Sequence, residues 1–168
     1  MELRGSRARA ALDDNGAMLL PDIFDPAVTQ SLCDRICQLD ARSAPLWGRM
    51  NGAQMLAHCC TPYAQLRGEL DGGPLLVRWL GRLLFKGTVV GERPFRRNLP
   101  TARAFLVADP RDLERERERL LAAIHALHGE GRAAFEGRAH PAFGPLSARQ
   151  WSNLLWKHLD HHLRQFGC

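Results

Sequence analysis

The stretch WKHLDHHLRQFGC, Trp156 to Cys168, holds three of the chain's seven histidines within five positions. His158 and His162 are four residues apart. An α-helix turns about 100° per residue, so this spacing sets both imidazoles roughly 40° apart on one face. The same face continues through Trp151, Leu155 and Phe166, so bulky apolar residues bracket the two rings and direct them inward. Two neutral imidazoles in that relation suit one divalent transition metal. His161 lies on a neighbouring side, closer to Lys157 and Arg164, and is rotated away from the pair.

A metal needs a third ligand, and NGAQMLAHCC offers His58, on a helix face shared with Trp47, Asn51, Gln54 and Thr61. Helical bundles assemble metal sites from inward side chains on facing helices. Three histidines leave coordination positions open to water or substrate, the pattern of catalytic rather than structural sites. An isolated H-x-x-x-H is nonetheless a weak signal, met more often on helix surfaces than on metals. Gln54, one turn before His58, and His161 stand outside the ligand set, where they would orient a ligand, solvent or substrate. No residue is assigned as a catalytic acid or base, and Asp160 lies too far round its helix for one. Trp47, Trp151 and Trp156 are expected to pack the core rather than wall a cavity. His125 and His128 are expected to face solvent or a helix end, and His140, before Pro141, is incidental.

Four helices must position these side chains. The first follows Asp25-Pro26, a good cap with proline in the first helical position, and carries Val28, Leu32, Ile36 and Leu39 on one face. The second starts at Asn51, where Gln54 three residues on completes a capping box; Pro62 should disturb it, and Gly72, Gly73 and Pro74 should end it. The third is expected to start at Asp109-Pro110 and stop at Gly129, with Leu113, Leu120, Ile124 and Leu127 as its apolar stripe. The fourth runs from a Ser147/Gln150 capping box to Gly167. Some forty residues separate helices two and three, and their apolar piece PLLVRWLGRLLF should form a short extra helix. So long a linker allows a crossover. The chain reads as all-α.

A chain of 168 residues is expected to be one domain, 1–168, with residues 1–20 an N-terminal extension. Its 45% hydrophobic and 24% charged content is ordinary for a soluble protein. No run approaches the roughly 18 apolar residues of a membrane span, and no apolar export signal opens the chain, so a cytoplasmic location is expected without a membrane partner. Five cysteines, with no CxxC pair, argue against a disulfide framework; Cys33, Cys37, Cys59 and Cys60 are expected to be buried as small hydrophobes. The net charge of +5 comes from arginines scattered along the chain, many alternating with glutamate in RDLERERERL. That is a solvated helix face, not a nucleic-acid stripe.

The stretches PLWGRMNGAQMLAHC, RNLPTARAFLV and LSARQWSNLLWKHLDHHLRQFG resemble a branch of the DinB-like (DinB/YfiT) superfamily called domain of unknown function 1569. The similarity runs from about residue 20 to the C-terminus, and the middle stretch is the weaker. The resemblance implies a four-helix bundle of up-down-down-up order, with a long crossover between helices two and three. In that superfamily a histidine from helix two and an H-x-x-x-H pair from the last helix hold a divalent metal, often nickel or zinc. By motif position these are His58, His158 and His162; the additional His161 departs from the pattern. Characterised members include thiol-dependent S-transferases and a mycothiol-dependent isomerase, in which the metal activates a low-molecular-weight thiol. The resemblance alone transfers no activity to this branch; the first reading is a metal-dependent thiol transferase or hydrolase acting on a small electrophile, in a chain compatible with a homodimer. The alternative is a non-catalytic bundle that binds metal or a protein partner, with LLVRWLGRLLF as the docking surface.

Overall fold

The computed structural model describes residues 19–70, 75–99 and 105–168, without the side chains of residues 75–78 and 80. Most of the expected N-terminal extension, the Gly72–Pro74 stop signal and part of RNLPTARAFLV lie outside those residues. The described chain is mainly helical: α1 (Pro26–Cys37), α2 (Gly52–Cys59), α3 (Thr61–Leu66), α4 (Leu75–Leu84), α5 (Lys86–Val90), α6 (Leu113–Glu130) and α7 (Ala148–Gln165). A 3-10 turn (Arg132–Phe135) and a two-residue antiparallel pair, β1 (Ala139–His140) with β2 (Gly144–Pro145), join the last two helices. Among the described residues no helix is long and apolar enough to cross a membrane.

Local chemistry explains most helix starts. The Asp25 carboxylate accepts from the Ala27 amide at 2.8 Å, with Pro26 in the first turn. Asn51 and Gln54 form a reciprocal capping box at α2, and Ser147 and Gln150 form another at α7. Each satisfies amides that the first helical turn leaves without partners. Pro62 acts as expected. The helix breaks at Cys60, and proline falls in the first turn of α3, where its missing N–H costs no hydrogen bond.

Two boundaries differ from expectation. α6 starts at Asp112, whose carboxylate accepts from the Arg115 amide at 2.8 Å, and not at Asp109. The Asp109 carbonyl instead accepts from Gln54 Nε2, and its carboxylate pairs with Arg111. α6 also runs through Gly129 to Glu130, and Gly131, at φ +75°, takes the left-handed turn that stops it.

Helices α1, α2, α6 and α7 pack on one another. Their shared core includes Leu32, Ile36, Met55, Leu56, Leu120, Ile124, Trp151, Leu155, Leu159 and Leu163. Trp151 is fully enclosed, a core residue as expected. Cys33, Cys59 and Cys60 are buried, but Cys37 is exposed at the end of α1. α5 packs on α7, whereas α4 leaves Trp79, Leu83 and Leu84 exposed, as is Phe85 just after it.

Candidate metal centre

The contact between α2 and α7 brings His58, His158 and His162 together: one ring nitrogen from each lies within 4.8 Å of the others. His58 Nε2 and His158 Nε2 are 3.0 Å apart, and all three ring centroids are 4.8 Å from one another. Ligand nitrogens about 2.0–2.1 Å from a tetrahedral ion stand roughly 3.4 Å apart. The cluster has the scale of one ion.

Neighbouring groups decide which nitrogen each ring can offer. His58 Nδ1 lies 2.8 Å from the Phe105 carbonyl, which can only accept, so Nδ1 carries the proton and Nε2 the lone pair. His162 Nδ1 lies 2.9 Å from Gln165 Oε1, and Gln165 Nε2 donates to the Trp47 carbonyl at 2.5 Å. That second bond fixes the carboxamide with its oxygen toward His162, so His162 likewise presents Nε2. His158 Nδ1 is buried and has no partner among the described residues.

Burial, above all, holds these imidazoles neutral. His58 is pushed below the usual histidine range by loss of solvent, against the pull of the Phe105 carbonyl. His158 is pushed well below that range by burial and then by its neighbouring imidazoles. His162 falls to about 3, for burial first and His58 second. Neutral imidazoles with defined tautomers are what a cation requires of such ligands.

Gln54 does not reach the cluster. Its carboxamide oxygen accepts from the Asn51 amide, and its nitrogen donates to the Ala108 and Asp109 carbonyls at 3.1 and 3.3 Å. It ties the chain before α6 to the start of α2. His161 is nearer: its ring is 5.1 Å from that of His162, edge-on, and 5.9 and 6.0 Å from Trp47 and Phe95. It lines a cleft of about 290 Å³ that Trp47, Phe95 and Trp156 wall; Trp156 also packs against the core as expected, whereas Trp47 borders the cavity instead. Asp160, also at this cleft, pairs with Arg35 at 3.0 Å and Arg164 at 3.7 Å.

The model of the family described as "Protein of unknown function (DUF1569)" matches residues 27–167. The chain belongs to this family. Neither a curated protein nor a solved structure matches it. The stretch that matches DUF1569 contains every residue of the histidine cluster and of its hydrogen-bonded surroundings.

Several residues of this DUF1569 chain matter more than their sequence context suggested. Gln165 orients His162. Gly48, at φ +84°, is the close neighbour that lets Gln165 reach the Trp47 carbonyl, because a Cβ there would run into the carboxamide. Lys157 is 2% exposed, and its ammonium donates to the carbonyls of Thr88, Gly91 and Arg93 at 2.8, 2.6 and 3.1 Å. Burial lowers it to about 8. It fastens the chain after α5, which carries Phe95, against α7. His140 is buried, stacked on Phe143 at 4.5 Å, with Nδ1 accepting from the amides of Ala142 and Phe143. It holds the hairpin and is not incidental. His125 is exposed and His128 half-buried near the end of α6.

Proposed function

We propose that this protein binds one divalent transition ion, nickel or zinc, through Nε2 of His58, His158 and His162. The reading is carried by one observation: three neutral imidazoles from two helices converge while two of them have their Nδ1 protons tied to fixed acceptors. When bound, such an ion supplies Lewis acidity, lowering the pKa of a thiol or water toward neutrality. The chain's own part is positional. Phe105 and Gln165 set the tautomers, and the core around Trp151 and Leu155 holds α7 against α2. His161, at the cleft between Trp47 and Phe95, flanks the approach to the ligands.

The chemistry we infer is transfer of a low-molecular-weight thiol to a small electrophile, or hydrolysis of one, in a DinB-like bundle of up-down-down-up order. The long connection between α3 and α6 supports that order. A second reading, a non-catalytic interaction bundle, draws on the exposed apolar side chains of Trp79, Leu83, Leu84 and Phe85.

Metal analysis of untagged protein, with nickel and zinc calorimetry on single variants, tests the centre. His58→Ala, His158→Ala and His162→Ala should each abolish stoichiometric binding with helicity retained, and His161→Ala should not. Undiminished binding in His162→Ala would sink the assignment. A screen of thiols with electrophiles on the loaded protein then separates the enzyme from the binding bundle.

A further inference from the structure

The cleft beside the histidine cluster has an unbalanced charge. Lys157 borders it, but all three of its N–H donors are taken by backbone carbonyls. Arg164 is paired with Asp160, which Arg35 shares. Arg97 differs. Its guanidinium carbon lies 4.3 Å from the centre of the Trp47 ring, and no carboxylate or other acceptor meets it among the described residues. A cation–π contact consumes no N–H donor, so the fork of this guanidinium remains available. Glu92, the nearest acid in sequence, is turned to Arg149 and Asn153.

We propose that the cleft binds a small carboxylate-bearing molecule, with Arg97 holding the carboxylate and Trp47, Phe95 and Trp156 packing its apolar body. Guanidinium and carboxylate match as two parallel charge-assisted hydrogen bonds. Arg97 is the cleft cation with neither an ion pair nor a hydrogen bond among the described residues, which suits a monoanion. A phosphate dianion calls for a second free cation, and the donors of Lys157 are taken while the charge of Arg164 is partly offset by Asp160. About 290 Å³ suits a metabolite rather than a peptide. His161 stands between this cleft and His162, so a molecule anchored at Arg97 extends past His161 with its reactive end toward the cluster. Only that direction rests on the metal reading.

The test uses the full-length untagged protein and three probes that share a phenyl group: 3-phenylpropionate, its isosteric amide 3-phenylpropionamide, and phenyl phosphate. Binding is followed by ligand-detected NMR and by quenching of tryptophan fluorescence, without added metal. The carboxylate should bind at least about tenfold more tightly than the amide. Arg97→Gln should erase that preference while leaving the melting temperature and nickel stoichiometry unchanged, and Arg97→Lys should keep part of it. Equal binding of carboxylate and amide, survival of the preference in Arg97→Gln, or no saturable binding of any probe would overturn the proposal. Tightest binding of phenyl phosphate would overturn the choice of carboxylate. Carboxylate preference without metal uptake would fail the metal centre alone, and metal uptake without carboxylate preference would fail the cleft alone.

Discussion

Gln165 does for His162 what the Phe105 carbonyl does for His58: it holds a proton on the nitrogen that faces away from the cluster. Gln165→Leu should therefore weaken nickel or zinc binding about 10- to 100-fold, the range for losing the hydrogen-bond partner of a metal-bound histidine. Gln165→Glu keeps an acceptor for His162 and should retain most of the affinity. Calorimetry on both variants checks this, and equal loss in the two would show that the contact to Trp47 matters more than the tautomer. His140 makes a different prediction. Burial first, and then the charge of Lys86, hold the ring neutral and bring its pKa down to about 4, and its Nδ1 accepts from two backbone amides. An unfolded histidine titrates near 6.5, so the unfolded chain binds the proton first as pH falls. Stability from this group is intact above about 6.5, declines between 6.5 and 4, and falls no further below. The full loss is at most about 3 kcal/mol. His140→Asn keeps an acceptor that does not titrate, and its urea midpoint should fall less over that window than the parent's. The His158–His162 pair was legible because i, i+4 spacing among apolar neighbours is a local pattern, whereas His58 was assigned to the pair through its helix face and the family resemblance. Gln165, Lys157 and His140 were not legible, because what each touches comes from loops distant in sequence.

At the level of helices, the caps at Asn51 and Ser147 could be read from four residues each, because a capping box is closed within its own first turn. The start of α6 could not. DPRD offers two aspartates, and the choice between them is made by Gln54 from another helix and by Arg111, which engage Asp109. The chain after α5 is likewise placed by a partner remote in sequence, the Lys157 ammonium on α7. Lys157→Met preserves length and removes all three donors. We expect it to cost about 1–3 kcal/mol and to raise amide hydrogen exchange most over residues 86–95. Uniform loss of protection along the chain would instead mean that Lys157 supports the whole core. Gly48→Ala tests the linker between α1 and α2: strain at a left-handed φ and a clash with Gln165 should lower both the melting temperature and nickel affinity.

At the scale of the molecule, helical content and the two histidine-bearing helices were legible in the periodicity, while their meeting came from the family resemblance, since periodicity does not say which helices are neighbours. On the proposed reading, that meeting would make stability depend on metal. An ion that binds only the folded chain adds about 2.7 kcal/mol at a free concentration of 100 Kd, so nickel or zinc should raise the melting temperature of the parent and not of His162→Ala. The positions of the ligands carry a further consequence. His58 and His158 are 100 residues apart, and an ion shared between them closes a loop of that size. In chain-entropy terms, a covalent cross-link over such a loop is worth about 4.7 kcal/mol. All five cysteines are unpaired, so the ion would be this chain's counterpart of a disulfide, fastening an early segment to the C-terminal helix. It is a fastening released by chelation and indifferent to reduction: EDTA should speed unfolding of the loaded protein, and dithiothreitol at non-chelating concentrations should leave that rate unchanged.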